Sequence, residues 1–303
     1  IAQYEHARRA LVLPLADMIR LGQDLPVEEE KLVFIYSTGR AGSTLASQVF
    51  AQLNGVANLS EPDVLLDLVA YRHDNPQNTA ELHALANAVI RLLCQVEAPG
   101  GHVIKGRSFA IELGDVLSNL FPAAKNLFLY RDAKSYLISS LRAYDDGVQR
   151  SEEELRQLVA GVRAWLKPML PLLAEVPDDQ SLSVVELVSY SWLSPMDSYV
   201  KLQDKGVEML AINYDSWLEA PRETAVAMLE YCAMLPADLA PIYGALDQDS
   251  QAGTVLSRES IKDPHTLLDM AHPAELNHVL ASHALINTAD FIAPNTLRTP
   301  STQ

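Results

Sequence analysis

Five short apolar runs that alternate with helix-length stretches constrain the fold of this chain most strongly. The runs are rich in Val, Ile, Leu, Phe and Tyr and end at Gly, Asn or charged residues, which is typical of short buried strands. They lie at residues 31–37, 55–60, 102–107, 126–131 and 207–214. The helix-length stretches lie at 43–54, 63–95, 109–120, 134–145 and 222–234. This alternation predicts an α/β fold in which helices flank a parallel sheet.

The segments outside this pattern are expected to extend a single domain of 303 residues with a core at about 31–263. In 151–200, a Ser followed by glutamates opens an amphipathic pattern that ends at prolines, which predicts a helical insertion that caps the site. Residues 1–30 are expected to form a helical extension. Residues 264–303 are expected to form a second extension, with a helix near 273–285.

Charge and cysteine content disfavour several roles. With 23 basic and 39 acidic residues the formal charge is −16, so nucleic acid and anionic lipid are unexpected partners. There is no run of about 18 apolar residues that could span a membrane and no leader pattern. Cys94 and Cys232 lie in apolar helical patterns, which predicts buried free thiols in a cytoplasmic protein. The eight histidines form no closely spaced ligand set with Cys, so no metal is predicted.

The stretch "FIYSTGRAGSTLASQVF" at 34–50 predicts an anion-binding loop between a strand and a helix. Backbone N–H groups and the positive end of the helix dipole bind anions in such loops. The predicted binding residues are Thr38, Gly39, Arg40, Ala41, Gly42, Ser43 and Thr44. A nucleoside-triphosphatase loop would have Lys where Ser43 stands and Gly where Ser37 stands, so a ligand other than ATP with magnesium is favoured. The alternative is an ordinary turn.

A second anion site is predicted in "NLFLYRDAKSYLIS". Arg131 ends a predicted strand, and Ser139 follows after two helical turns if the helix begins near Ala133. Both side chains then converge at the carboxyl end of the strand, where such sheets bind ligands. The alternative is a local ion pair between Arg131 and Asp132. Two anion sites at one sheet edge indicate a nucleotide with phosphates at both ends.

These motifs resemble those of sulfotransferases that use 3′-phosphoadenosine-5′-phosphosulfate (PAPS). In that family the first loop binds the 5′-phosphosulfate, and Arg-Asp-Pro followed by Ser binds the 3′-phosphate. Here the second motif reads "RDAKSYLIS", with Ala133 at the Pro position. The resemblance continues through "AINYDSWLEAPRETAVAMLEYCAM" (211–234) to "GTVLSRESIKD" (253–263). It implies that Ser257 and Arg258 also contact the nucleotide.

The residues that follow the other strands resemble one branch of the family. Sulfotransferases of aryl and steroid substrates have Lys-x-His after the middle strand, whereas this chain has Lys105 and then Arg107. Arg40 and Glu61 instead resemble the branch that includes the tyrosylprotein sulfotransferases. The resemblance implies that Glu61 is the general base and that Arg40 and Lys105 stabilise the transferred group. The alternatives are a helix-capping role for Glu61 and a solvated strand end for Lys105.

The resemblance implies an enzyme that moves a sulfuryl group from PAPS to a hydroxyl or amine and releases the 3′,5′-bisphosphate PAP without a metal. A P-loop nucleotide-dependent kinase and an inactive nucleotide-binding relative remain the alternatives. Because the chain is acidic, an acidic peptide is a less suitable acceptor than a small molecule or natural product. An acceptor tethered to a carrier protein also stays open. Aromatic residues in 187–217 could line the acceptor pocket, although packing in the core is favoured.

Overall fold

The computed structural model describes residues 12–144, 148–248 and 273–298 and contains one parallel sheet of five strands. The strands are β1 (Leu32–Ser37), β2 (Val56–Ser60), β3 (Gly101–Lys105), β4 (Lys125–Tyr130) and β5 (Leu210–Asn213). Their order is β2-β3-β1-β4-β5, and every pair of neighbours is parallel. Each strand begins inside its predicted run or one residue before it. The predicted α/β fold with a parallel sheet is confirmed.

Helices occupy the intervals between the strands, as the alternation predicts. They are α1 (Leu15–Gly22), α2 (Ser43–Ala51), α3 (Val64–Asp74), α4 (Thr79–Leu93), α5 (Gly114–Leu120), α6 (Ala133–Tyr144), α7 (Glu152–Leu166), α8 (Pro171–Ala174), α9 (Val184–Asp204), α10 (Tyr214–Glu219), α11 (Pro221–Tyr231), α12 (Ala240–Leu246) and α13 (Pro273–Ala281). The stretch 63–95 is two helices rather than one, because Pro76 disfavours helical backbone at Asn75 before it. The stretch 109–120 begins as a 3₁₀ turn, Ser108–Leu113, before α5.

The two faces of the sheet pack against two separate hydrophobic cores. Along β1, Phe34 and Tyr36 contribute to one core, and Val33 and Ile35 to the other, as the alternation of side chains along a strand requires. The first core receives buried side chains of α3, α4, α5, α6, α9 and α13. The second receives those of α2, α11 and α12. Because both faces of β1 are buried, the strand and the loop after it have a fixed position.

The segment 151–200 divides into a peripheral part and a core part. As predicted, Ser151 caps α7 in a reciprocal arrangement with Glu154. In contrast, α9 is a core helix, since Trp192, Met196 and Tyr199 are fully buried. The capping role predicted for the segment therefore concerns α7. Within the residues described, none of the helices has both the length and the apolar character needed to cross a bilayer.

A largely buried carboxyl group lies in the 3₁₀ turn after β3. Burial raises the pKa of Glu112 to about 7, although Ser198 donates a hydrogen bond to the carboxyl and Arg72 lies nearby. A folded-state pKa above the ordinary value of 4.5 means that folding favours protonated Glu112. This contribution to stability is complete below pH 4.5 and is lost as the pH rises through about 7.

We therefore expect Glu112→Gln to change how the free energy of unfolding depends on pH. Between pH 4.5 and 7.5 the wild type should lose roughly 3 kcal/mol relative to the variant, since one pKa unit corresponds to 1.36 kcal/mol. Urea unfolding of both proteins at these pH values measures the difference. The comparison removes the contribution of all other titrating groups. A difference that stays constant across this range would contradict the expectation.

Candidate active site

The loop between β1 and α2 lies at the carboxyl edge of the sheet, where the chain connections change direction. From β1 the chain runs to β2 on one side, whereas β4 lies on the other side. A crevice forms at such a switch point in open α/β sheets. The loop is fixed to β4 because the backbone N–H of Thr38 donates to the carbonyl oxygen of Leu129 at 3.0 Å.

The loop leads into α2 through Gly42. Any other residue here would strain the backbone and displace the ring of Tyr214. Its φ is 78°, a left-handed conformation that disfavours residues with a Cβ. A Cβ atom at this position would also lie 2.4 Å from Cδ2 of Tyr214. The aromatic ring of Tyr214 thus packs directly on the backbone of the loop, at the start of α2.

Arg40 connects the two predicted anion sites. Its Nε donates to the hydroxyl oxygen of Ser139 on α6 at 3.1 Å, across 99 residues of sequence. Among the described residues Arg40 has no carboxylate partner. Burial lowers the pKa of the Arg40 guanidinium, and the positive charge of Arg131 also lowers it, whereas nearby tyrosines oppose both effects. An anion between the two arginines would relieve this electrostatic cost.

Arg131 follows β4 and is held by residues of α9 and α10. Its Nη2 donates to Asp215 at 3.0 Å, and its guanidinium lies 5.2 Å from the ring centroid of Tyr214. The indole of Trp192 donates to the Arg131 carbonyl oxygen at 2.9 Å. The Nε of Arg131 is buried and has no hydrogen-bond partner among the described residues. The alternative of a local ion pair with Asp132 is not what the structure shows, because the carboxylate that contacts Arg131 is that of Asp215.

Glu61 lies directly after β2 in an ion-pair cluster. Its Oε1 is 2.8 Å from Nζ of Lys105, and its Oε2 is 3.3 Å from Nε of Arg107, which also pairs with Asp63. The Lys105 side chain is 4% exposed and that of Glu61 is 41% exposed, so the glutamate covers the lysine. The backbone N–H of Glu61 donates to the Lys105 carbonyl oxygen at 2.7 Å and extends the pairing of β2 with β3.

Arg40 and Glu61 share an unusual backbone conformation. Their φ angles are 53° and 54°, and only two other non-glycine residues among those described have a positive φ. Such conformations cost free energy and are found preferentially at functional sites. The strain gives an indication of function that does not depend on the sequence motifs.

One cavity of about 870 Å³ contains most of the predicted site residues. Those that line it are Gly39, Arg40, Ala41, Gly42, Ser43, Thr44, Glu61, Arg131 and Ser139. Thr38 is fully buried, and Lys105 lies behind Glu61, so neither belongs to the lining. Ser257 and Arg258 lie outside the described residues.

The sequence motifs did not identify several residues that shape this cavity. Arg107 appeared only as a departure from a family pattern, yet it contacts Glu61. Tyr214 and Asp215 hold Arg131 in position. Tyr214 is one of the aromatic residues of 187–217 that could line the acceptor pocket, and it does line the cavity. Asp215 was not identified, although a Tyr-Asp pair at a strand end was the available signal. The charged side chains of the lining are four arginines and one glutamate, although the chain as a whole is acidic. Arg150 is the fourth of these arginines.

In the part of the chain that the structure describes, no three His, Cys, Asp or Glu side chains group in a way that could hold a metal ion. The independence from metal remains a prediction. The arginines of the lining offer donors that suit a polyanion, and Glu61 is the carboxylate that the described residues contribute to the lining.

No family model matches this sequence, and a search of curated proteins finds no match. Among solved structures, the chain is similar to sulfotransferase STF9 from Mycobacterium avium, with 12% identity, 88% of this chain and 80% of that chain covered, and a TM-score of 0.46. A sulfotransferase from Alicyclobacillus acidocaldarius has 13% identity, 68% and 81% coverage and a TM-score of 0.41.

A retinol dehydratase in complex with androsterone and the inactive cofactor PAP has 13% identity, 93% and 88% coverage and a TM-score of 0.45. At these identities and TM-scores below 0.5, the likenesses assign no activity to this chain. Its function must therefore be argued from the geometry and chemistry of its own site.

Proposed function

We propose that this chain is a sulfotransferase that moves a sulfuryl group from PAPS to a hydroxyl or amine of an acceptor molecule and releases PAP. The observation that carries the proposal is the hydrogen bond between Arg40 and Ser139. It joins the loop motif and the second anion motif in the wall of one cavity, which is what a nucleotide with phosphates at both ends requires. The branch that pairs a loop arginine with a glutamate base is the best match for Arg40 and Glu61.

The donor fits the residues at the arginine-lined end of the cavity. Arg40 lacks a carboxylate partner among the described residues, and the buried Nε of Arg131 lacks an acceptor. Arginine donors in this arrangement suit phosphate and sulfonate oxygens. The N–H groups at the start of α2 add further donors for the 5′-phosphosulfate. Arg131 and Ser139 would bind the 3′-phosphate.

The donor supplies a sulfuryl group whose bond to a phosphate oxygen breaks while a bond to the acceptor oxygen or nitrogen forms. Glu61 accepts the proton that the acceptor loses, and the electron pair of the broken bond leaves with PAP. Arg40 and the loop N–H groups stabilise the charge that develops on the transferred group and the leaving oxygen. The ammonium of Lys105 contacts Glu61 rather than the cavity, so we assign it to the positioning of the base.

The other features of the proposal follow from the same site. A nucleotide-dependent kinase has less support, because Ser43 stands where a P-loop lysine would contact the phosphates. An inactive relative would have no need for Glu61, Lys105 and Arg40 together.

Both cysteines are buried free thiols, which supports a reducing, cytoplasmic location. The expected partner is a small-molecule acceptor, and a carrier-tethered acceptor is the alternative.

Binding of PAP without metal tests the donor before any acceptor is known. A ligand at 100 times its Kd stabilises the native state by about 2.7 kcal/mol. For a chain of this size we expect a rise in Tm of about 5 °C, which thermal unfolding measures. AMP, which lacks the 3′-phosphate, is the control and should raise Tm far less. Stabilisation by ATP with magnesium but not by PAP would contradict the proposal and favour the kinase.

A further inference from the structure

The helix α7 exposes an apolar stripe to the cavity. Its members recur at helical spacing and are Leu155, Leu158, Val159, Val162, Trp165 and Leu166. Leu158, Val162 and Trp165 are 43%, 37% and 55% exposed, although large apolar side chains at these positions are costly to leave in water. From Leu155 to Leu166 the stripe is about 16 Å long, at 1.5 Å per residue.

The helix α9 also contributes apolar side chains to the lining of the cavity, namely Val184, Leu187 and Val188. It also contributes Ser191, whose hydroxyl donates to the Leu187 carbonyl oxygen of its own helix at 3.0 Å. Capping boxes at the N-termini of both helices fix where they begin. The lining that the two helices contribute is mainly apolar, so it would hold a ligand by shape and apolar contact.

The stripe and the proposed base line the same cavity. The ring of Trp165 packs edge-on against Phe109 at 6.0 Å. Phe109 comes two residues after Arg107, which contacts Glu61. Phe109 and Arg107 line the cavity together with Trp165 and Glu61, so an acceptor along the stripe can reach the carboxylate that would take its proton.

The two cations that contact the proposed base, Lys105 and Arg107, are already paired with carboxylates, which disfavours an acidic acceptor beside it. Arg107 is the cation closest in sequence to Phe109, and it already pairs with Glu61 and Asp63. An acidic peptide would need cations beside the base that are free to bind it. An uncharged ligand requires none, and the stripe offers it an extended apolar surface.

We infer that the acceptor is an uncharged, elongated and mainly apolar alcohol. Its hydroxyl lies beside Glu61, and its apolar body lies against the side chains that α7 and α9 contribute to the cavity. This inference rests on the proposed sulfotransferase function and specifies the substrate class of the same cavity. The product is the corresponding sulfate ester, with the hydroxyl proton transferred to Glu61.

Trp165 allows direct measurement of the binding of 1-hexanol, 1-octanol and 1-decanol. The other two tryptophans, Trp192 and Trp217, are fully buried, so alcohols should change the fluorescence of Trp165. We expect Kd to fall roughly fourfold for each added methylene group, the factor for full burial of a CH₂. Trp165→Phe should remove the fluorescence response. A Kd that does not depend on chain length, or an absent response, would overturn the inference.

A matched pair of variants locates the binding site. Leu158→Asp places a charge in the stripe, whereas Ala160→Asp places the same charge on an exposed position of α7 that does not line the cavity. The first should weaken 1-decanol binding by roughly tenfold or more, and the second should change it less than twofold. Equal Kd values for the two variants would contradict the inference. So would a concentration-dependent association of the wild type that Leu158→Asp abolishes, because a second copy would then cover the stripe.

The stabilisation by PAP, measured on the same samples, separates the two proposals. We expect both variants to retain it. Stabilisation by PAP without 1-decanol binding leaves the sulfotransferase proposal intact and overturns the apolar acceptor. Binding of 1-decanol without stabilisation by PAP supports the apolar site and contradicts the donor.

Discussion

Replacement of Glu61 by Gln is expected to lower kcat by roughly 10²- to 10⁴-fold, the usual contribution of a positioned general base. The amide keeps one oxygen that can accept from Lys105, whereas its NH₂ group cannot accept from Arg107, which still pairs with Asp63. The amide also cannot take the proton of the acceptor. Steady-state sulfate transfer to any acceptor that the wild type uses measures the effect. The affinity for PAP should stay within a few fold.

Asp63→Asn is the matched control for Glu61. Asp63 has the same side-chain exposure as Glu61, 41%, and pairs with the same Arg107, but it does not line the cavity. Its replacement should change kcat less than threefold. If Glu61→Gln also stays within threefold of the wild type, Glu61 is not the base. Equal large losses in both variants would instead mean that the cluster acts through the orientation of Arg107.

Replacement of Arg131 by Ala should weaken PAPS binding by roughly 10- to 150-fold, because hydrogen bonds to charged groups contribute about 1.5–3 kcal/mol. Equilibrium binding of PAPS and of adenosine 5′-phosphosulfate, which lacks the 3′-phosphate, measures the effect. The second ligand should be affected only slightly. Because the two ligands differ only in the 3′-phosphate, the comparison of their Kd values isolates the contact of Arg131 with that phosphate, which a measurement of activity alone would not.

The ion pair with Asp215 provides a control for the structural role of Arg131. Asp215→Asn removes the carboxylate partner of Arg131 and keeps the guanidinium in place. If the effect of Arg131→Ala arose from the lost pair, Asp215→Asn would weaken the binding of PAPS by the same factor. Equal losses of both donors in Arg131→Ala would assign Arg131 to the fold.

The sequence was sufficient to predict residues that follow single strands. Arg131 ends an apolar run, and Arg40 lies three residues after another. Because the carboxyl ends of parallel strands share one edge, their common cavity could be expected. The pairing of Glu61 with Lys105 could not be predicted from the sequence. It requires that β2 lie beside β3 with Ser60 opposite Lys105, and the hydrophobic pattern does not encode strand order.

The apolar wall illustrates a second limit of sequence patterns. The spacing in α7 predicted an amphipathic helix, but periodicity indicates only that one side avoids water. Whether that side packs on a core or lines a cavity depends on the neighbouring helix α9.

The break between α3 and α4 had a local signal, Pro76, but the long apolar pattern of 63–95 obscured it. The partner of Arg131 was also hidden, because Asp215 is adjacent in space but distant in sequence.

The central place of β1 in the sheet has a consequence for the order of events during synthesis. Both neighbours of β1, β3 and β4, leave the ribosome long after it, because the whole of β2, α3 and α4 comes between. The N–H of Thr38 has no partner until Leu129 has been added to the chain. Contacts between such distant segments require the closure of a long loop and form slowly. The loop between β1 and α2 is thus encoded early but acquires its shape late, and a nascent chain that ends before β4 would not yet have the proposed nucleotide site.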